Sequence, residues 1–203
     1  MDSAAMSADE PIRDAATVVL VRRDGGVPRV LMGQRGAGAV FMPSKYVFPG
    51  GGVDAGDLPG DASMLDPACI SRLAGGATPP GALATAALRE LLEETGQSFS
   101  PGSARLRYIF RAITPRGRPR RFDARFFLAE AGTLATDPED FAGASDELSH
   151  LHWIGLPEAR ALDLPFVTEV VLAEVTNLMA GGTQPGVPFF DNSGPVPTFR
   201  RIT

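Results

Sequence analysis

One segment, Ala82–Gln97, constrains this chain more than any other. Its glutamates Glu90, Glu93 and Glu94 are three and four residues apart, and residues at these spacings share one face of an α-helix. Carboxylates gathered on one patch repel one another unless solvent or a cation neutralises them. Oxygen-only ligands of this kind suit Mg²⁺ or Mn²⁺ better than zinc. The segment therefore predicts a helix with a divalent-cation site.

The rest of the segment has the signals of an amphipathic helix. Arg89 precedes Glu93 by four residues and Glu90 by one, so its guanidinium can restrain a carboxylate. Gly96 follows the last turn, where glycine is a common cap. A stripe facing the core is predicted on the other side, formed by Ala84, Leu88, Leu91 and Leu92. Taken alone, a solvated helix with glutamates at this spacing is the plainer alternative.

A glycine loop, residues 48–57, precedes the helical segment. It contains the consecutive glycines 50–52, which permit backbone geometry closed to other residues and a close approach to a ligand. Asp57 ends the loop. We expect Gly50 and Gly51 to let the loop pack against the helix and approach the substrate.

The loop and the helix together resemble a split Nudix box, Gly-x5-Glu-x7-Arg-Glu-U-x-Glu-Glu-x-Gly-U, in which U is aliphatic. Gly51 and Asp57 match its first half, with aspartate in place of glutamate, and Arg89–Gly96 matches its second half. Residues 58–88 separate the halves by 31 positions (88 − 57), where the pattern has seven. Gln97 is polar where the pattern has an aliphatic residue.

Further residues sharpen this resemblance. Residues 41–51 read Phe-Met-Pro-x-x-x-Val-Phe-Pro-Gly-Gly after a Gln-Arg pair, and residues 121–127 read Arg-Phe-Asp-x-Arg-Phe-Phe. Both runs are similar to the Nudix branch that includes the peroxisomal coenzyme A diphosphatases, which also has an insertion inside its box. Phe48 is interpreted as a packing residue, whereas Phe41 and Tyr46 are open as groups that stack on a nucleobase.

The resemblance implies an α/β fold, the Nudix α/β/α sandwich with a central mixed sheet. A helical insertion, residues 58–80, would lie between the glycine loop and the Nudix helix, with a short helix within Asp61–Leu73 and Cys69 as a small core residue. The domain would span residues 15–183. It would follow a flexible arm, residues 1–14, and precede a Pro- and Gly-rich C-terminal extension, residues 184–203, lying on the surface.

The implied activity is divalent-metal-dependent hydrolysis of the pyrophosphate bond in a nucleoside diphosphate linked to another moiety. CoA or acyl-CoA is the first candidate substrate; ADP-ribose, dinucleotides and a non-catalytic nucleotide sensor are the alternatives. Glu90, Glu93 and Glu94 would bind Mg²⁺ or Mn²⁺, and Arg89 would orient them. The general base is open between Glu90 and Glu147, an acidic residue before a strand that contains Trp153.

Arginines are the predicted phosphate ligands, because the guanidinium fork matches phosphate oxygens. Arg121 and Arg125 are preferred over the solvated arginines of the preceding loop, and Arg35 is a further substrate-binding candidate. His150 and His152 are interpreted as structural or solvent-facing, because the sequence indicates no third ligand for a metal.

Composition narrows the function further. The net charge of −5 shows that the chain lacks the excess of basic residues that is typical of nucleic-acid-binding proteins. A single cysteine excludes an intrachain disulfide, and no apolar run is long enough to span a membrane. A cytoplasmic enzyme with a small-molecule substrate is expected. The sequence leaves the oligomeric state open, with a homodimer as one option.

Overall fold

The computed structural model describes residues 10–23 and 26–203. Alternating and continuous runs of apolar residues form a nine-stranded sheet. Its strands are β1 (Ile12–Arg22), β2 (Arg29–Arg35), β3 (Tyr46–Val47), β4 (Gly50–Gly52), β5 (Arg107–Ile113), β6 (Arg121–Glu130), β7 (Leu148–Gly155), β8 (Val187–Asp191) and β9 (Thr198–Ile202).

The sheet is mixed, as predicted. Its main path runs β3-β2-β1-β6-β5-β8-β9, with β4 paired to β1 and β7 paired to β2. The pairs β1–β6 and β5–β8 are parallel, and the others are antiparallel. The glycine strand β4 is therefore fixed to the strand at the centre of the fold.

Four helices cover the two faces of the sheet: α1 (Pro67–Leu73), α2 (Pro80–Thr95), α3 (Leu156–Ala159) and α4 (Phe166–Met179). On one face, Leu83 and Leu91 of α2 pack in a core with Leu20 of β1. On the other face, Val171 of α4 packs in a second core with Val19. Helices on both sides of a mixed sheet confirm the predicted α/β/α sandwich.

The predicted C-terminal extension differs from the structure. Strand β8 pairs with β5, and Val187 and Phe189 are buried. Strand β9 then pairs with β8. The segment therefore completes the sheet instead of lying over it, because alternate apolar residues of β8 have a neighbouring strand on which to pack.

The predicted arm also ends earlier than expected. Its residues 1–9 lie outside the described part of the chain, and Ile12–Asp14 form the start of β1. The Asp14 carboxylate accepts hydrogen bonds from Thr78 and Arg125, and β1 pairs with β6 from Ile12 onward. Long-range pairing therefore orders this stretch despite its polar composition.

The insertion is part of the core. Its helix, α1, confirms the prediction of a short helix, and Leu65, Cys69 and Leu73 are buried with the α2 side of the sheet. Gly60 has a φ of +73°, and a Cβ there would lie 2.2 Å from the carbonyl carbon of Gly81. This close approach fixes the insertion to the first turn of α2. None of the described helices is both long and apolar enough to cross a membrane.

Candidate active site

Helix α2 is rotated relative to the predicted stripe. Glu94 is 2 % exposed and points inward with Ala87 and Leu91, whereas Leu92 is 49 % exposed. Including Leu92 in the core-facing stripe was therefore wrong. The last turn of α2 packs against the glycine strand β4, so a carboxylate occupies the position that an apolar side chain would take elsewhere on this face.

Glu94 lies at the centre of the site. The backbone N–H of Gly50 donates a hydrogen bond of 2.7 Å to its Oε2. Burial, together with repulsion from Glu90 and Glu147, raises the pKa of Glu94 to about 8, against the opposing effects of this hydrogen bond and of Arg35. A buried carboxylate with two acidic neighbours is a group that a cation would stabilise.

Arg89 holds the acidic face of α2 together, in the role that the sequence predicted. Its Nη1 lies 2.9 Å from Oε1 of Glu90 and 3.1 Å from Oε2 of Glu93. Its Nη2 donates to the carbonyl of Gly52 at 2.9 Å. Burial nevertheless raises the pKa of Glu90, despite the neighbouring guanidinium.

Asp57 is the main partner of Arg89. Its two carboxylate oxygens accept hydrogen bonds from Nε at 3.0 Å and Nη2 at 3.1 Å, and Oδ2 also accepts the N–H of Asp54 at 2.8 Å. Although Asp57 is buried, these donors keep its pKa below the ordinary value. The shorter acid at this position therefore joins the glycine loop to α2 through Arg89.

At two positions of the glycine loop there is no space for a Cβ atom, so only glycine fits. A Cβ on Gly51 would lie 2.3 Å from Oε1 of Glu90. A Cβ on Gly50 would lie 2.5 Å from the carbonyl oxygen of Ala16. Gly51 therefore lets the Glu90 carboxylate reach the loop, and Gly50 lets the loop pack on β1.

Arg35 and Glu147 join this group from the neighbouring strands. Arg35 is paired with Leu148 at the end of β2, so Glu147 lies next to it in the register. Both residues act electrostatically on Glu94. The Nε of Arg35 is buried and has no hydrogen-bond partner within residues 10–23 and 26–203. It is therefore an unused donor beside the acidic group.

The structure binds Arg121 and Arg125 to other protein groups, which argues against their predicted role as phosphate ligands. Arg125 is 3 % exposed and is bound to Asp14, to the Asp123 carbonyl at 2.7 Å and to the Asp123 carboxylate at 3.2 Å. Arg121 is also buried and donates to the carbonyls of Thr114 and Asn192. Their guanidinium groups are already occupied by protein acceptors.

A further arginine completes the group around Arg125. Arg111 of β5 binds Asp123 through two hydrogen bonds, of 2.8 and 2.6 Å. We call Asp14, Arg111, Asp123 and Arg125 the paired cluster. The alternation of Asp123 and Arg125 on one strand face was the available sequence signal for it, whereas the contribution of Asp14 depends on a contact 111 residues apart in the chain.

The donor set around Glu94 suits a hard divalent cation. Glu90, Glu93, Glu94 and Glu147 offer carboxylate oxygens only, and the burial of Glu94 with too few counterions explains why a cation would bind. In the described residues, no three acidic, histidine or cysteine side chains already form a ligand group. Arg89 instead binds two of the glutamates.

The two histidines of β7 do not contribute to this site. A bulge opposite Gly33 breaks the alternation of the strand, and His150 has a φ of +51°. The Nδ1 of His152 is 2.7 Å from the carbonyl oxygen of His150, and the ring of His152 contacts Tyr46 edge-on. These contacts agree with the structural interpretation of the histidines.

A model of the NUDIX domain matches residues 67–175, which are 109 of the 203 residues. The chain belongs to the Nudix family. Helix α2 is therefore its Nudix helix. Comparison with curated proteins gave no match.

Solved structures support the Nudix assignment. A NUDIX hydrolase from Alicyclobacillus acidocaldarius is 28 % identical, with a TM-score of 0.59 over 83 % of this chain and 91 % of that one. The Ap4A hydrolase of C. elegans, solved as a binary complex, is 19 % identical, with a TM-score of 0.53 over 84 % of this chain and 99 % of that one. The NUDIX domain of Shewanella oneidensis NrtR, complexed with ADP ribose, is 13 % identical, with a TM-score of 0.55 over 84 % of this chain and 90 % of that one.

The last two likenesses show the fold alone. The family match and the hydrolase at 28 % identity together support a Nudix pyrophosphohydrolase that acts on phosphorus-containing acid anhydrides. Divalent cations are general cofactors of this family. The relation to the CoA diphosphatase branch stays a prediction, because neither the domain match nor these structures distinguish that branch.

Proposed function

We propose that this Nudix protein cleaves the pyrophosphate bond of a nucleoside diphosphate linked to a second moiety, with Mg²⁺ or Mn²⁺ bound by Glu90, Glu93 and Glu94. The observation that carries the proposal is Glu94, buried against the N–H of Gly50 and surrounded by Glu90 and Glu147. The ionised form of such a site needs positive charge nearby, and a divalent cation would supply it.

Arg35 would bind the diphosphate. Its buried Nε has no partner within the described residues, and its guanidinium acts on Glu94. An arginine fork matches two phosphate oxygens, so the diphosphate would lie between Arg35 and the glycine strand β4. Arg121 and Arg125 are not part of this proposal, because other protein groups bind them.

A bound cation would neutralise charge on the phosphate oxygens and make a water more acidic. Glu147 would accept the proton of the attacking water, because it is exposed beside Glu90 and Glu94 and makes no hydrogen bond to another described residue. Glu90 is the second candidate base, but its carboxylate is bound by Arg89 at 2.9 Å. Arg89 would orient Glu90 and Glu93 through the contacts already described.

The nucleobase would stack on aromatic side chains near the glycine strand. The ring centroids of Phe41 and Phe122 are 5.2 Å apart, and both side chains are half-buried. Phe122 pairs with Arg13 of β1, two residues from the Ala15–Gly52 pair of β1 and β4. Neighbouring strands are about 4.8 Å apart, so these rings are within a nucleotide's length of the glycine strand.

CoA or acyl-CoA is the first substrate to test, as the resemblance of residues 41–51 and 121–127 indicates. The expected products are 3′-phosphoadenosine monophosphate and a phosphopantetheine. ADP-ribose and dinucleotides are the second class to test. The C. elegans and Shewanella proteins with the same fold, an Ap4A hydrolase and an ADP ribose complex, are reasons to include them.

The test is a panel of these diphosphates with Mg²⁺ or Mn²⁺, with the products separated by chromatography. Glu93→Gln and Glu94→Gln should each lower kcat by about 10²–10³-fold, because each removes a carboxylate ligand of the cation that would stabilise charge at the reacting phosphate. Arg118→Met, in the exposed loop before β6, is the matched control and should keep full activity. Binding of a nucleotide without turnover by the unsubstituted protein would instead identify a sensor.

A further inference from the structure

The residue after the Nudix helix differs from the family pattern, and its contacts are specific. Gln97 is 0 % exposed. Its Nε2 donates to the carbonyl oxygens of Asp137 at 3.1 Å and Asp140 at 2.7 Å, and its Oε1 accepts the hydroxyl of Thr136 at 2.8 Å. An aliphatic side chain can make none of these hydrogen bonds. The amide therefore holds residues 136–140 at the end of α2.

The same loop is fixed to α2 at its other end. The N–H of Ser145 donates to the carbonyl oxygen of Glu93 at 2.8 Å. A Cβ on Gly96, which has a φ of +73°, would lie 3.2 Å from the backbone of Gly143. Trp153 adds a hydrogen bond of 2.8 Å from Nε1 to the carbonyl of Pro138. Residues 136–145 are therefore attached at both ends to the helix that carries the catalytic glutamates.

Glu147 follows this loop by two residues and has no comparable anchor of its own. It is exposed, and its carboxylate makes no hydrogen bond to another described residue. It nevertheless lies close enough to repel both Glu90 and Glu94. Its place beside them must therefore come from the backbone on either side, which is strand β7 and the loop 136–145.

We infer that Gln97 is a positioning residue for Glu147. It holds the loop 136–145 against the end of the Nudix helix and so places the base at the reacting phosphate. This inference rests on the proposed function, in which Glu147 accepts the proton. It adds a residue outside the metal and phosphate ligands, at a position where the Nudix pattern has a plain core side chain.

The experiment compares Gln97→Met, Glu147→Gln and the double variant on the diphosphate that the unsubstituted protein turns over fastest. Methionine fills a similar volume without an amide. Gln97→Met should lower kcat about 10- to 100-fold, with KM changed by less than about a factor of two, because a displaced base slows the chemical step. If Gln97 acts through Glu147, the double variant should be no slower than Glu147→Gln alone.

Two controls separate positioning from general loss of structure. Leu65→Ala opens the core beside α1 without removing any hydrogen bond of Gln97, and should lower the melting temperature without lowering kcat. Thr136→Val removes one of the three contacts of Gln97 and should give a smaller loss in kcat. Amide exchange of Ser145 should accelerate in Gln97→Met and not in Leu65→Ala, whatever the substrate.

The outcomes are distinct. Turnover with an unchanged kcat in Gln97→Met, or additive losses in the double variant, would overturn the inference and leave the proposed function intact. Full activity of Glu147→Gln would also overturn it and would leave Glu90 as the base. No turnover by the unsubstituted protein on any diphosphate would overturn the proposed function, and the positioning role with it.

Discussion

Two groups of charged side chains in this molecule differ in how completely they are paired. In the paired cluster, the carboxylates of Asp14 and Asp123 are matched by the guanidinium groups of Arg111 and Arg125. The acidic cluster, defined as Glu90, Glu94 and Glu147, has Arg35 beside it and shares Arg89 with Asp57 and Glu93. The charges of the first group are matched within the protein, whereas the second group has more carboxylates than guanidinium groups to match them.

This difference teaches how to separate structural from functional charge. Each charged group of the paired cluster has a partner of opposite charge within the protein, so this cluster joins β1, β5 and β6. Burying Glu94 beside other carboxylates is unfavourable for its ionised form, and a bound cation would offset this cost. Arg125 is therefore bound by protein carboxylates, whereas the Nε of Arg35 has no hydrogen-bond partner among the described residues.

The largest expected effect is on the paired cluster. Arg125→Met should lower the free energy of unfolding by about 3–5 kcal/mol, because it leaves Asp14 and Asp123 short of a buried counterion. Urea denaturation measures this loss. The activity of the protein that remains folded should be unchanged. A comparable fall in kcat without loss of stability would mean that the cluster binds substrate after all.

The acidic cluster should respond in the opposite direction. Without divalent cations, Glu94→Gln should raise the free energy of unfolding by roughly 1–3 kcal/mol at pH 8 and above. The folded-state pKa of Glu94 is about 8, against an ordinary value of 4.5. The unsubstituted protein therefore loses stability as the pH rises between these values, because the carboxyl ionises in the unfolded state while it stays protonated in the folded state. The variant has no such group and does not lose this stability.

The pH dependence itself checks this sign. Below about pH 4.5 Glu94 is protonated in both the folded and unfolded states, so the two proteins should differ little in stability. The difference should grow up to pH 8 and then level off. Saturating Mg²⁺ should raise the melting temperature of the unsubstituted protein more than that of Glu94→Gln. A difference that shrinks as the pH rises would contradict the burial of an uncompensated carboxylate.

Replacing Arg35 tests whether this arginine binds the substrate. Arg35→Met should raise KM for the diphosphate about 10- to 100-fold, the effect of losing charged hydrogen bonds of about 1.5–3 kcal/mol. The free energy of unfolding should change little, because the Nε of Arg35 has no partner among the described residues. Steady-state kinetics and urea denaturation test both halves. An unchanged KM would exclude Arg35 as a phosphate ligand.

The smallest expected effect is at the glycine loop. Gly51→Ala should lower kcat about 10-fold by displacing the Glu90 carboxylate, which a Cβ would meet at 2.3 Å. Gly36→Ala is the matched control, since a Cβ there meets nothing within 4 Å. Gly50→Ala should instead destabilise the sheet, because its Cβ would meet the backbone of β1. Equal kcat values for Gly51→Ala and Gly36→Ala would show that catalysis does not depend on the observed position of the Glu90 carboxylate.

The sequence by itself determined the local parts of this protein. The spacing of the glutamates, Arg89 and Gly96 predicted helix α2 and its cap, and the glycine run predicted the loop beside it. The family resemblance that these residues carry implied a mixed sheet between two layers of helices, which the structure confirms. These features depend on residues a few positions apart, for which helix and strand periodicity are sufficient physical guides.

Only the tertiary structure decided which charged groups are free. Arg125 finds Asp14 across 111 residues, Gln97 finds Asp140 across 43, and residues 187–202 find an edge of the sheet. The exposure of Leu92 and the burial of Glu94 likewise depend on how α2 lies against β4. The spacing of residues along the chain does not predict such partners. The hydrogen-bond partner of a buried polar or charged group is a distant residue that only the folded chain brings close to it.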